Sequence, residues 1–331
     1  MQAMLKLLGA PLILAAAAGC SDWDSTAAAG NVAAQTQANP AGIGSAACPS
    51  EGAVLQVLGS GGPIAEADRA GTSYLLWIEG EPRLLIDAGP GSFLRFAQAG
   101  GKVSSLDAIL LTHLHGDHAG GLAGILNTGG FEGGGQPLLV YGPDDAERFP
   151  ATSEFLDRLL SKEGGAFAYL GGYDDGSENK RELLVTDITT DQGAGAPVGL
   201  DISNDYSVIA YPVNHAAAPA LGYAIEVGDT SFVITGDQNA QSERFANELS
   251  GSKPTVLFAH HVINGDPGQP RGLHRTPAEI GELAGRLEPE TLVLTHNMNR
   301  SLNRIDDSRA AIRQNFEGPL EIAADLDCFA L

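Results

Sequence analysis

A run of polar residues directly after a short apolar segment constrains this chain most strongly. The apolar segment is 109–111, and the polar residues that follow it are His113, His115, Asp117 and His118. Because alternate residues of an extended chain project to the same side, His113 and His115 can bind one metal ion together. Gly116 is expected to allow a sharp turn that carries Asp117 and His118 towards a second metal ion. The motif therefore predicts a two-metal site, the alternative being four polar residues that only cap a strand.

Three further residues occupy similar positions later in the chain. Each stands where an apolar run, typical of a buried strand, ends in a loop, and they are His215, Asp237 and His296. Ligands placed on loops at one edge of a fold would have this distribution, although ordinary loop residues are the alternative. Imidazole nitrogen and carboxylate oxygen suit zinc, and also manganese or iron. The seven residues together predict two divalent metal ions, with zinc as the first choice.

Strand-like segments rich in Leu, Ile and Val alternate with helix-like segments along the chain. The segments predicted to be strands are 53–59, 72–78, 83–88, 107–112, 138–141, 207–213, 221–227, 230–235, 255–259 and 291–295. This order predicts an α/β domain, an αββα sandwich of two mixed sheets with outer helices.

The clearest helix signal lies late in the chain. Thr276 can cap a helix, Pro277 fits its first turn and Glu279 completes a capping box. Two more helices are predicted over 154–160 and 308–316. Between 142 and 205 the pattern is less regular, and the segments 171–180 and 191–199 are expected to be loops. We expect this irregular stretch to face the substrate.

The charge balance limits the class of substrate. Lys and Arg total 19 whereas Asp and Glu total 41, which gives a formal net charge of −22. Affinity for nucleic acids comes mainly from cationic contacts to phosphates, so long RNA or DNA is not expected as a partner. A small anionic molecule remains possible, because two metal ions would dominate the local potential. The sequence leaves the oligomeric state open.

The first 20 residues resemble a bacterial export signal. Lys6 precedes an apolar stretch, 7–18, that is too short for a stable membrane span. The stretch ends in Ala17-Ala18-Gly19-Cys20, which resembles a lipoprotein processing site and predicts a lipid on Cys20. Residues 21–50 are then a flexible tether and 51–331 a periplasmic domain, attached to the outer membrane only through this lipid. Ordinary secretion and a buried helix are the alternatives.

Two cysteines remain once Cys20 is assigned to lipid. Cys48 lies just before the first predicted strand, and Cys328 lies near the end of the chain. An exported domain is exposed to an oxidising compartment, and the two ends of a domain often lie close together. We therefore predict a disulfide between them, with two free buried thiols as the alternative.

The sequence resembles the metallo-β-lactamase superfamily and, within it, the ribonuclease Z and phosphodiesterase branch. The resemblance covers about 54–325 and includes Leu58-Gly59-Ser60-Gly61-Gly62-Pro63 and Leu85-Ile86-Asp87-Ala88-Gly89-Pro90-Gly91. It implies one metal bound by His113, His115 and His215 and a second bound by Asp117, His118 and His296. It also implies that Asp237 bridges the two metals and that Asp87 orients a ligand, the alternative for Asp87 being a residue that starts a Gly-rich turn.

The segment Leu273-His274-Arg275-Thr276 also resembles this branch, in which a histidine before a helix assists catalysis. His274 precedes the predicted helix N-terminus, where an anion is favoured, although a surface histidine near a cap is the alternative. Two departures stand out. His261 occupies a place where the branch often has a glutamate that orients the catalytic histidine, so His274 is expected to be held differently or to be less basic. Residues 142–205 also lack the basic cluster that tRNA-processing members carry.

The predicted activity is metal-assisted hydrolysis, with Asp117 and His274 as catalytic side chains. The favoured substrate is a small phosphodiester such as a cyclic nucleotide. A sulfatase, lactonase or β-lactamase-like hydrolase on the same fold is the first alternative, and Asp237 weakens the β-lactam interpretation. An inactive lipid-anchored binding protein is the second.

Overall fold

The computed structural model describes residues 48–66 and 68–330. The predicted signal sequence, Cys20 and most of the predicted tether lie outside the described residues. Within the described part, no helix is long and apolar enough to cross a membrane.

The first sheet has seven strands and begins the domain. In spatial order its strands are β14 (Cys328–Ala330), β1 (Ala53–Gly59), β2 (Ser73–Ile78), β3 (Glu81–Ile86), β4 (Ala108–Leu110), β5 (Leu138–Pro143) and β6 (Leu183–Ile188). The pairs from β14 to β3 are antiparallel and those from β3 to β6 are parallel.

The second sheet repeats this arrangement. Its strands, again in spatial order, are β13 (Leu320–Ile322), β12 (Thr291–Thr295), β11 (Val256–His260), β10 (Thr230–Ile234), β9 (Ala218–Val227), β8 (Ser207–His215) and β7 (Val198–Leu200). The pairs from β7 to β10 are antiparallel and those from β10 to β13 are parallel. Both sheets are mixed, as predicted.

Nine α-helices lie in the described part of the chain. They are α1 (Ser92–Ala99), α2 (Gly116–Ala119), α3 (Leu122–Gly129), α4 (Thr152–Leu160), α5 (Gly172–Asp175), α6 (Glu243–Glu248), α7 (Pro277–Leu287), α8 (Asn299–Leu302) and α9 (Ile305–Ile312). The cap predicted for α7 is present, since the Thr276 hydroxyl accepts from the Glu279 amide and the Glu279 carboxylate accepts from the Thr276 amide.

Three clusters of buried hydrophobic side chains lie between the layers of sheets and helices. One lies between the sheets and takes the inward side chains, such as Leu110 on β4 and Phe258 on β11. The alternate residue Ile109 faces the opposite way, onto the side where α1, α3 and α4 pack. Leu257 likewise faces α6, α7 and α9. The predicted αββα sandwich is confirmed.

Short or weakly apolar segments account for several errors of prediction, and the helices α1, α3 and α6 were not predicted either. β6, β13 and β14 were not expected, because two are edge strands of three residues and β6 exposes much of one face. The segment 191–199, expected to be a loop, contains the start of β7, and 171–180 contains the single turn α5. The last helix begins at Ile305 rather than 308 and ends at Ile312, with Asp306 and Asp307 in its first turn.

The predicted disulfide is present. Cys48 and Cys328 are bonded, with their Cα atoms 5.6 Å apart and a separation of 280 positions in the sequence. Because β14 pairs with β1, the bond joins the segment before the first strand to the edge strand beside it. It thereby fixes the two ends of the domain together.

Removing this bond should lower the free energy of unfolding markedly. Closing a loop of this length is worth about 5 kcal/mol in the chain-entropy model, chiefly through the unfolded state. We expect the double variant Cys48→Ser with Cys328→Ser to unfold at a lower denaturant concentration than wild type, and reductant to affect wild type alone. Equal midpoints for the two proteins would show that the bond contributes nothing.

Candidate metal centre

The candidate ligands gather at one edge of the sandwich. His113 follows β4 of the first sheet, His215 ends β8, and Asp237 and His296 follow β10 and β12 of the second sheet. Strands β8, β10, β11 and β12 run in the same direction, so their carboxyl ends meet at this edge. The loops after parallel strands therefore bring together side chains that lie far apart in the sequence.

Three imidazoles form a first cluster. The Nε2 atom of His113 lies 2.9 Å from Nδ1 of His115, and Nε2 of His215 lies 3.3 Å from the same Nδ1 atom. Tetrahedral zinc with nitrogen ligands at about 2.0–2.1 Å requires ligand atoms roughly 3.3 Å apart. The spacing of these nitrogens is therefore close to that of three ligands on one ion.

A second cluster combines two imidazoles and a carboxylate. The Nε2 atoms of His118 and His296 lie 3.0 Å apart, and Oδ2 of Asp117 lies 3.2 Å from the His296 nitrogen. Between the clusters, Oδ2 of Asp237 lies 3.7 Å from His118 Nε2 and 3.6 Å from His215 Nε2. Asp237 thus faces both sets of donors and can be shared by two ions.

Burial and neighbouring charges set the protonation of these groups. His113, His118 and His296 are fully buried, and Nδ1 of His296 has no hydrogen-bond partner. Burial lowers the pKa of His113 well below its usual value, which keeps the ring neutral and its lone pair available. Burial alone would raise the pKa of Asp237, but His296 and His274 hold it well below its usual range. Divalent metals bind neutral imidazoles and ionised carboxylates, and His113 and Asp237 already have these states. Burial lowers the pKa of His118 and His296, but Asp87 and Asp237 respectively raise it above the usual value, so these two rings would release a proton on binding a cation.

Comparison with known proteins identifies the family of the chain. The model of the metallo-β-lactamase superfamily matches residues 67–296. The chain belongs to the metallo-β-lactamase superfamily. Ribonuclease Z of Mycobacterium marinum is 28% identical over 283 residues, covering 82% of this chain and 96% of that protein.

Solved structures of the superfamily show the same fold. The metallo-β-lactamase fold protein YhfI of Bacillus subtilis matches with a TM-score of 0.64 and 20% identity, covering 85% of this chain and all of that one. The short form of human tRNase Z matches with a TM-score of 0.61 and 20% identity, covering 84% and 98% of the two chains. The predicted family is confirmed, and so is the predicted enzyme class, a metal-dependent hydrolase.

In this superfamily member, Asp87 supports the second cluster through its contact with the His118 ring. Its Oδ2 atom lies 2.8 Å from Nδ1 of His118, and its two oxygens also accept from the amide and hydroxyl of Thr112. Asp87 is fully buried, and its φ of 56° is a left-handed conformation that Asp and Asn tolerate better than most residues. The carboxylate fixes the His118 ring so that Nε2 faces His296 Nε2 and Asp117 Oδ2, 3.0 and 3.6 Å away.

Asp87→Asn should therefore weaken metal binding with little effect on the fold. Asn tolerates the same backbone conformation, so the variant removes mainly the charge behind His118. We expect a loss of about 10- to 100-fold in affinity for one of the two ions, as for other outer-shell carboxylates. Metal titration monitored by calorimetry would measure it, and two unchanged binding isotherms would show that Asp87 only starts the Gly-rich turn.

Glycines let the backbone approach the site, though not at the position expected. Gly116 begins α2, and a Cβ atom there would meet nothing within 4 Å, so no special turn depends on it. A Cβ at Gly89 would instead lie 2.1 Å from the carbonyl oxygen of Asp117. One at Gly62 would lie 2.7 Å from the His296 ring. The two glycine-containing motifs thus make room for ligands of the second cluster.

One residue of the site was missed. His260 ends β11, and its Nδ1 lies 2.7 Å from Oδ1 of Asp237 while its Nε2 lies 3.0 Å from the Tyr74 hydroxyl. This contact leaves Oδ2 of Asp237 facing the two clusters. His260 follows an apolar strand just as the other candidates do, so the signal was in the sequence. The seven ligands that the family resemblance implies do not include His260.

His274 lies beside the metal centre, before α7. It is buried, and its Nδ1 atom lies 3.8 Å from Oδ2 of Asp237 and has no hydrogen-bond partner. Burial lowers the pKa of His274 to about 3. His261 does not orient it, because its own ring nitrogens lie 3.2 Å from Asn297 Oδ1 and 3.0 Å from Ser308 Oγ. Among the described residues, Asp237 is the one acid whose carboxylate lies within 4 Å of a ring nitrogen of His274.

Proposed function

We propose that this protein is a phosphodiesterase for a small anionic diester, such as a cyclic nucleotide, and that its metals are two zinc ions. The observation that carries the proposal is the pair of donor clusters joined by Asp237, with the unpartnered Nδ1 of His274 beside them. The ribonuclease Z relatives support it, because a ribonuclease cleaves phosphodiester bonds in RNA.

Each side chain has a distinct role in this proposal. His113, His115 and His215 would hold one ion, Asp117, His118 and His296 the other, and Asp237 would be shared. Two ions bound there supply Lewis acidity and a nucleophilic water at neutral pH. Although burial raises the pKa of Asp117, His118 and His296 hold it below its usual value, so its carboxylate stays ionised as a ligand.

His274 would act on the leaving oxygen. Its ring is neutral in the free site, because burial disfavours the charged form. An anionic phosphoryl group beside the ring would raise the pKa of the ring and allow it to hold a proton. That proton is then available for the leaving oxygen as the P–O bond breaks.

The segment 142–205 favours a small substrate over tRNA. It contains five Lys and Arg residues against 14 Asp and Glu residues. Lys162 and Lys180 pair with Asp175 and Glu178, and Arg158 pairs with Glu154. Arg181 is buried and donates to backbone carbonyls, among them those of Val103 and Leu106. Such a surface offers few free cations to a polyanion.

A substrate panel tests the proposal. Protein reconstituted with zinc, and in parallel with manganese, would be given bis(4-nitrophenyl) phosphate, a cyclic nucleotide, a precursor tRNA, a sulfate ester, a lactone and a cephalosporin. We expect kcat/KM to be highest for a small phosphodiester. Faster hydrolysis of the sulfate ester, lactone or cephalosporin would replace the proposal, and preference for tRNA would make the protein a ribonuclease. No turnover by fully metal-loaded protein would favour the inactive binding protein.

We also propose that the protein is a periplasmic lipoprotein held by Cys20. We expect mass spectrometry of the wild-type N-terminus to find lipid on Cys20, and Cys20→Ser to release the protein from outer membranes. Ser21→Ala is the control, because it leaves the cysteine intact and should not change attachment to lipid. An unmodified Cys20 in wild type would refute the anchor.

A further inference from the structure

An apolar groove begins beside the metal centre. A cavity of about 490 Å³ is lined by Asp117 of the second cluster together with Gly62, Arg69, Pro90 and Gly120. A neighbouring groove of about 590 Å³ shares Pro90 and Gly120 with that cavity and continues over α3 towards α4. The two spaces are therefore neighbours that share part of their wall, and the second lies farther from the candidate metal ligands.

Aromatic and aliphatic side chains form the walls of this groove, which we call the aromatic groove. They are Phe93, Phe155, Leu159, Phe167 and Tyr169. Phe93, Phe167 and Tyr169 are 42%, 37% and 63% exposed, and the last two rings meet edge to face with centroids 6.3 Å apart. Contiguous exposed apolar surface is found at ligand-binding grooves and at protein or membrane contacts.

The floor of the aromatic groove is made of small residues. Ala123, Gly120, Gly121 and Gly124 lie along it, and a Cβ atom at Gly124 would already come within 3.3 Å of the Phe93 ring. None of the lining residues is charged, although the chain as a whole has a net charge of −22. The groove thus suits an uncharged apolar group, and its volume is within the usual range for small-molecule sites.

We propose that the aromatic groove binds an apolar arm, alkyl or aryl, of the diester whose phosphoryl group lies at the metal centre. This inference rests on the proposed phosphodiesterase function and narrows its substrate class. Within that class it favours diesters with an apolar ester arm over cyclic nucleotides, whose polar base edges would meet few hydrogen-bonding groups. The residues that the groove shares with the cavity at Asp117, Pro90 and Gly120, are what assign it to substrate.

A homologous series of substrates tests the proposal. The full chain loaded with zinc would be given the methyl, butyl and octyl esters of 4-nitrophenyl phosphate, below their micellar concentrations. Since the leaving group is the same throughout, differences in kcat/KM report on the other arm. We expect kcat/KM to rise, mainly through KM, by about fourfold for each methylene that enters the groove.

Three variants and a control locate the effect. Phe167→Ala and Tyr169→Ala each remove part of the wall of the groove, and Ala123→Trp fills its floor. We expect each variant to lower kcat/KM for the octyl ester about tenfold or more. The value for the methyl ester should not change. Leu184→Ala is the control, because Leu184 is 43% exposed on the edge strand β6 and lies outside the groove. It should keep the full dependence on chain length.

Binding measurements separate the two proposals. Methylphosphonate and octylphosphonate are not hydrolysed, so calorimetry measures their affinity whatever the activity. If octylphosphonate binds more tightly than methylphosphonate to wild type but not to Phe167→Ala, the groove binds the apolar arm, even if no diester is cleaved. If all three esters are cleaved with equal kcat/KM, the proposal that the groove binds the ester arm is wrong, whereas the phosphodiesterase proposal stands. If the variants instead lose binding to phosphatidylcholine vesicles while chain-length dependence persists, the surface is a membrane contact and the proposal fails.

Discussion

Replacing Asp237 with alanine should abolish hydrolysis and remove metal from the protein. Asp237 is the carboxylate that approaches donors of both clusters, with Oδ2 3.6 Å from His215 Nε2 and 3.7 Å from His118 Nε2. Its loss leaves each cluster short of an anionic ligand inside a buried site. We expect elemental analysis to find about two ions per wild-type chain, as two-metal hydrolases require, and at most one in Asp237→Ala.

Chelation provides the matched experiment on the unaltered chain. A chelator should remove turnover, and added zinc or manganese should restore it. Because ions that bind only the folded state stabilise it, the metal-free protein should also melt at a lower temperature. Asp107→Asn is a suitable control variant, since Asp107 pairs with Arg83 away from the site. Full activity in protein shown to be free of metal would refute the two-metal centre.

Replacing His274 with alanine should reduce turnover by about 10²- to 10⁴-fold while both metals remain bound. The size of the loss should depend on the leaving group. An alkoxide is a poor leaving group and needs the proton that His274 holds, whereas 4-nitrophenolate leaves readily without one. We therefore expect the full loss with a dialkyl or cyclic diester and a much smaller loss with a 4-nitrophenyl ester.

The neighbouring His261 offers a comparison for this experiment. His261 is as buried as His274, but its ring bonds to Asn297 and Ser308 rather than facing the metals. His261→Asn should lower stability and change the dependence on leaving group little. An equal loss for both classes of leaving group in His274→Ala would assign His274 to substrate positioning and remove it from proton transfer.

The seven candidate ligands could be predicted from the sequence because their positions follow a local pattern. Each follows an apolar run, and parallel strands deliver their carboxyl ends to one edge of the sheet. The helix at Pro277 was equally predictable, because its capping box lies within four consecutive residues. Signals of this kind depend on neighbours in the sequence.

What could not be predicted depends on contacts between distant segments. The strand β14 has three residues and gains its place only by pairing with β1 at the other end of the domain. The walls of the aromatic groove come from α1, α4 and the segment after α4, and no pattern links Phe93 to Tyr169. Gly89 likewise shows its importance only when Asp117 lies against it.

The two sheets share the metal centre unequally. His113, His115, Asp117 and His118 follow a strand of the first sheet, whereas His215, Asp237 and His296 follow strands of the second. Each set of donors is thus split between two layers that touch mainly through the inner core. The metal affinity of the site would therefore depend on how the two layers are aligned. A cavity made in the inner core at the far end of β9, for example by Ile225→Ala, would let the layers shift and would weaken metal affinity.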